Sequence, residues 1–168
     1  MTAATWRPLE FTGAQPIEDT STTAVHPLGF KIRANNDTYG CGEFIYLLGV
    51  ASTVVGNLVT WNALTCQTTL APDTVNLGQQ VAVAMSANVA SQYGWYQIYG
   101  AAVIKKPAAK ALPNNAVFMS TTAGRVSTTI NTSTQILGAR TANSATITTT
   151  TSTVVVSICY PFIQGQII

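Results

Sequence analysis

The residues able to do chemistry are few and far apart. His26 is the only histidine of the chain, and it stands before Pro27 in a stretch without periodic pattern. A catalytic triad needs its histidine beside a positioned serine and an acid, and no nucleophile-elbow sequence is present. Glu18 and Asp19 are neighbouring acids of the kind that divide acid and base roles in glycosidases. They lie in a polar run where nothing would desolvate or tune them, which makes a solvated turn the better reading. Cys41, Cys66 and Cys159 are odd in number and widely spaced. That spacing argues against a disulfide framework or a zinc site and for buried reduced thiols. No phosphate loop, dinucleotide fingerprint or acidic calcium loop occurs. Lys105, Lys106 and Lys110 could touch phosphate while Tyr99 stacks on a base, but three lysines beside one aromatic ring are a weak footprint, better read as a solvated loop. The expectation is a protein that is no enzyme and has no cofactor, metal or nucleic-acid partner.

The composition points to the same place by another route. Only 8% of the 168 residues are charged, against about 25% in an ordinary soluble domain. Thr, Ser, Asn and Gln replace the missing charges, and a surface this neutral suits a protein packed into an assembly. The net charge is +2, unevenly placed: all six acids precede position 74, and from Thr74 onward the charges are Lys105, Lys106, Lys110, Arg125 and Arg140. Chance in a charge-poor chain would give this; so would a basic surface that faces an acidic partner. The start shows no cationic segment followed by an apolar run, so no signal peptide is visible. The longest apolar run, Phe44 to Ala51, is broken by Gly49 and too short to span a bilayer. A soluble protein made inside the cell, with no membrane partner, is expected.

The elements that would carry such a surface are strands. Around the stretch Gly78 to Gly100 the chain reads as two strands joined by small residues. Val81, Val83 and Met85 alternate with Ala82 and Ala84; Tyr93, Trp95, Gln97 and Tyr99 alternate with Gly94, Tyr96, Ile98 and Gly100. Neither face of the second strand is polar, so both should be covered, with Trp95 mostly buried and structural. Further strands are expected near Phe30 to Arg33, Glu43 to Leu48, Leu58 to Trp61, Ala101 to Lys105 and Ala116 to Ser120. Thr122 to Arg125 suits a hairpin connection with Gly124 left-handed. A last strand carries Val154, Val156, Ile158 and Tyr160 on one face and should end at Pro161. The expected core includes Val83, Met85, Tyr93, Trp95, Ile98, Val156 and Ile158. Short strands spaced by turns, with no convincing long helix, predict an all-β fold: a small β-sandwich, jelly-roll-like, or a β-barrel. Residues 1–28 read as an extended N-terminal arm and 29–168 as the β domain. Trp6, Arg7, Leu9 and Phe11 make the arm sticky; it either folds back on its own domain or clasps a neighbour.

Three stretches resemble a known family. Val81 to Ile98, Gly42 to Gly49 (Gly-Glu-Phe-Ile-Tyr-Leu-Leu-Gly) and Ile136 to Ala142 (Ile-Leu-Gly-Ala-Arg-Thr-Ala) are similar to head decoration, or cement, proteins of podophages among the tailed bacteriophages. The resemblance runs from about Gly29 onward and does not include the arm. It implies a small β domain on the outer surface of the virion capsid, at junctions between subunits of the major capsid protein, made in the cytoplasm of the bacterial host. It implies no catalytic residue. With such a role the domain would act as a homodimer or homotrimer and stabilise the shell. The candidate capsid or subunit interface is then Trp6, Arg7, Leu9, Phe11, Lys105, Lys106, Lys110, Arg125 and Arg140. The rival expectation is a receptor- or glycan-binding module of a head spike or tail fibre, with an exposed ring such as Trp61 or Trp95 stacking on sugar.

Overall fold

The computed structural model of the chain describes residues 5–9, 13–148 and 151–166. Its backbone is all-β, with no helix among the described residues. In chain order the strands are β1 (Arg7–Pro8), β2 (Thr20–Ser21), β3 (Lys31–Asn36), β4 (Gly40–Leu48), β5 (Leu58–Trp61), β6 (Thr68–Leu70) and β7 (Val81–Ala84). There follow β8 (Tyr93–Lys105), β9 (Ala116–Met119), β10 (Val126–Ser127), β11 (Gln135–Thr141) and β12 (Thr153–Ile163).

The strand β8, 13 residues long, is the axis of the sheet. Its first half pairs antiparallel with β4 and, over Gln97 and Tyr96, with β7; its second half pairs with β12. From β8 the sheet runs outward through β4, β3 and β1 on one side and through β12, β11, β9 and β10 on the other. The far strands curl back toward the β5–β7 layer: Ile163 N–H donates to Gln79 O at 2.8 Å, and Leu58 N–H to Gly124 O at 2.9 Å. The result is sandwich- and barrel-like, with an open edge at β1. The left-handed Gly124 (φ +75°) stands in the β9–β10 connection, as the turn requires.

Three cores fill the space. An aliphatic one gathers Leu58, Val81, Val83, Ile104, Met119, Val156, Ile158 and Ile163 with small neighbours. A second holds Ile45, Leu47, Val59, Tyr96 and Ile98. The third is aromatic: Trp6, Phe44, Tyr46 and Trp95 with Ile17, Ile32 and Ala34. β8 therefore buries Trp95 on one face and Tyr96 and Ile98 on the other, because neither face offers water a polar surface. Of the expected core residues, Val83, Trp95, Ile98, Val156 and Ile158 are buried, and Met85 and Tyr93 are half-buried against the aromatic cluster.

Three expectations about this framework need correcting. β12 does not end at Pro161 but runs on to Ile163, and Tyr160, expected on one face with Val154, Val156 and Ile158, is exposed while those three are buried. The register with β11 shifts between Leu137 and Ala139, and at such a bulge a residue without an N–H is tolerated. Glycine is required there: a Cβ on Gly138 (φ +73°) would come within 2.6 Å of Cys159 O. The cysteines are free, as expected, but only Cys66 is buried; Cys41 and Cys159 are exposed. The alternation that buries Ile158 sends Cys159 out.

Candidate functional site

The surface begins with the outer side of β12. Val154, Val156 and Ile158 enter the aliphatic core, so Thr153, Val155, Ser157 and Cys159 look outward. Residues opposite one another on antiparallel strands share a face. Thr153 is paired with Lys105, Val155 with Val103, and Ser157 with Ala101 on one side and Arg140 on the other. Lys105 and Arg140, 35 positions apart in sequence by their numbers, thus stand on one sheet face, separated by small and apolar side chains. No acid occupies these paired positions. At the Gly138 bulge the face dips into a shallow cleft of ≈ 340 Å³ lined by Gln135, Arg140, Ser157 and Cys159.

The other sequence-predicted interface residues fall elsewhere. Lys110 is exposed in the loop before Ala111, and Arg125 is half-buried in the β9–β10 turn. Lys106 is a correction. It is only 1% exposed, and its Nζ donates to Pro107 O at 3.2 Å, Ala109 O at 2.5 Å and Thr151 O at 2.6 Å. An ammonium has three donors, and all three are used to clip the 107–109 loop to the approach of β12. Burial lowers the pKa of this amine from its usual value. The expected surface cation is thus a structural strut.

Trp6 is the second correction. At 5% exposure it packs edge-on against Phe44, with ring centroids 4.9 Å apart. Its backbone N–H donates to Glu18 Oε1 at 2.9 Å, which is the task of one acid in the pair read above as a solvated turn. The ring fills its own domain's core and is not free to anchor in a neighbour. Arg7 and Leu9 are exposed, Arg7 in a loose surface pair with Asp37 at 3.3 Å that contributes little. Phe11 lies outside the described residues.

A second cluster went unseen in the sequence because its members come from four strands. Tyr99 and Tyr160, both exposed, stand with ring centroids 6.0 Å apart. The Tyr160 hydroxyl donates to Glu43 Oε2, and Lys31 Nζ lies 5.9 Å from the Tyr160 ring centre. The hydrogen bond to Glu43, followed by burial and the carboxylate's charge, raises the pKa of Tyr160. Tyr160 is held in the left-handed region (φ +44°), which is costly for a bulky residue and often marks a functional position. Beside it a slot of ≈ 30 Å³ opens between Tyr160, Trp61, Gln80 and Lys31. Trp95, named earlier as a possible sugar platform, is fully buried and cannot serve as one.

Among the described residues no cluster of His, Cys, Asp and Glu could hold a metal ion, and no helix is long and apolar enough to cross a membrane. No protein-family model, curated protein or solved structure matches the chain.

Proposed function

We propose that this chain is a capsid decoration protein that binds the outside of a phage head and ties neighbouring major capsid subunits together. The observation that carries the reading is the outer face of β12 and its neighbours β8 and β11: small and apolar residues with Lys105 and Arg140 among them and no acid at the paired strand positions, Glu18 reaching only the cleft beside Ala101 and Val103. Such a face complements an acidic shell surface. That the shell is a phage head is taken from the resemblance read in the sequence at Val81 to Ile98, Gly42 to Gly49 and Ile136 to Ala142, which no match among known proteins accompanies.

One interface of ordinary size yields a modest net affinity, since association costs offset most of the buried area. A domain that touches two capsid subunits, or that self-associates and touches more, forms each later contact at high effective concentration. The same small term, repeated over the shell, resists the pressure of packaged DNA. The test is to remove the protein from particles and heat them. Complete heads should hold their DNA to a higher temperature than stripped ones, and added protein should restore the difference. Equal release temperatures would overturn the proposal.

The exposed Tyr99–Tyr160 pair beside Glu43, Lys31 and Trp61 favours a second reading, a glycan-binding module. Saturable quenching of tyrosine fluorescence by host surface polysaccharide, lost in Tyr160→Ala, would support it over the first.

A further inference from the structure

The only histidine of the chain, near the domain end of the arm, pins an earlier turn of the arm by a bond that a proton would destroy. Gln15, in the arm, is a hub. Its backbone N–H donates to His26 Nε2 at 3.1 Å. Its carbonyl accepts from Trp95 Nε1 at 2.9 Å. Its side-chain oxygen accepts from Tyr46 Oη at 2.9 Å and from Ser21 Oγ at 3.1 Å, and its amide nitrogen donates to Asp19 O at 2.8 Å. The bond from Gln15 N–H assigns the tautomer of His26: Nε2 accepts, so the ring is neutral with its proton on Nδ1. The ring sits in an aromatic nest, its centroid 5.2 Å from Tyr46, 5.3 Å from Trp95 and 6.0 Å from Phe30.

We propose that His26 is the pin of a pH-operated latch, which tightens the strap of residues 13–21 at neutral pH and loosens it on acidification. Protonation turns Nε2 from acceptor to donor and sets it against the donor of Gln15. The bond is lost, a backbone N–H is left unpaired, and a charge enters a cleft walled by three rings. Among the described residues, ionisable groups that face the ring across the packing are Tyr46 from β4 and, stacked behind it, Tyr93 from β8. The strap brings Glu18, engaged by the backbone N–H of Trp6, and Asp19. Neither acid offsets burial, which lowers the pKa of His26 below the usual 6.5. The sign follows: a base whose pKa is depressed in the folded state stabilises in full above its unfolded value. Its contribution falls as the pH drops below about 6.5 and is gone once the folded pKa is passed. At neutral pH the arm is folded back, and after acidification the strap, still seated by Ile17 and by the β2–β8 pairing, opens to a neighbour more readily. The two readings of the arm become two states of one segment, whatever the partner.

The experiment is amide exchange by NMR on the whole protein between pH 7.5 and 5.0, read as protection factors so that intrinsic rates cancel. Protection of Gln15 and its strap neighbours should fall about tenfold or more across this range, while the amides of Val156 and Ile158 hold. His26→Gln, whose side-chain oxygen can accept without titrating, should keep the strap protected at pH 5.0. His26→Phe keeps the ring and removes the acceptor, and should leave the strap loose at every pH. Constant Gln15 protection in the native protein, or an equal fall in His26→Gln, would overturn the latch. Neither result bears on capsid binding, which the heating experiment tests separately.

Discussion

The aliphatic core between β12 and the β5–β7 layer contains no ring, whereas the core under the arm is built of them. In the first, Val, Ile, Leu, Ala and Met side chains exclude water and do nothing else. In the second, Trp95 and Tyr46 bury their rings and still have polar ends to use, and both ends close on Gln15. An aliphatic core can be tight without preferring any one segment as its cover. An aromatic core with directed donors selects its cover and fixes its register. This is why a segment with no hydrophobic period docks in one place.

Breaking the aromatic side at its centre should have the largest effect. Trp95→Ala removes a fully buried ring and its bond to Gln15 together, and chemical denaturation should show a loss of about 3–5 kcal/mol. The strut at the other end comes next. Lys106→Ala leaves the carbonyls of Pro107, Ala109 and Thr151 without their donor, and about 1–3 kcal/mol should go with them. Tyr46→Phe separates the polar end from the ring. It should cost about 1 kcal/mol by denaturation and raise exchange in residues 13–21 while the amides of the aliphatic core stay as they were. Should exchange rise equally in both cores, the contrast between them would fail. The smallest change in stability belongs to the outer face. Lys105→Ala with Arg140→Ala should shift unfolding by no more than about 0.5 kcal/mol, yet weaken binding to stripped heads and flatten its dependence on salt.

Much of the framework was readable in advance because it depends on local alternation. The two apolar faces of Tyr93 to Ile98 announced a strand covered on both sides, and Val154, Val156 and Ile158 announced an inward face, from which Tyr160, read with them, departs. The left-handed Gly124 was readable from its turn. What could not be read depends on bulges and long-range bonds. The shift opposite Gly138 carried β12 through Pro161 and turned Tyr160 toward Glu43, 117 positions away. Lys106 looked like a surface cation because nothing near it in sequence shows that Thr151 O will come within reach. Trp6 looked like an anchor for a partner because its groove is made of Phe44 and the arm itself.

The chain by itself determined the β character, the identity of the strand at its centre, the scarcity of charge and the absence of familiar catalytic motifs. These follow from residue type and from a period of two, which adjacent residues suffice to express. Tertiary structure alone decided which cations share a face, which aromatic rings reach the surface, and that His26 accepts a bond from Gln15. Each of these is a meeting of groups from distant strands or loops, set by sheet register and closed by side-chain bonds whose partners no local pattern announces.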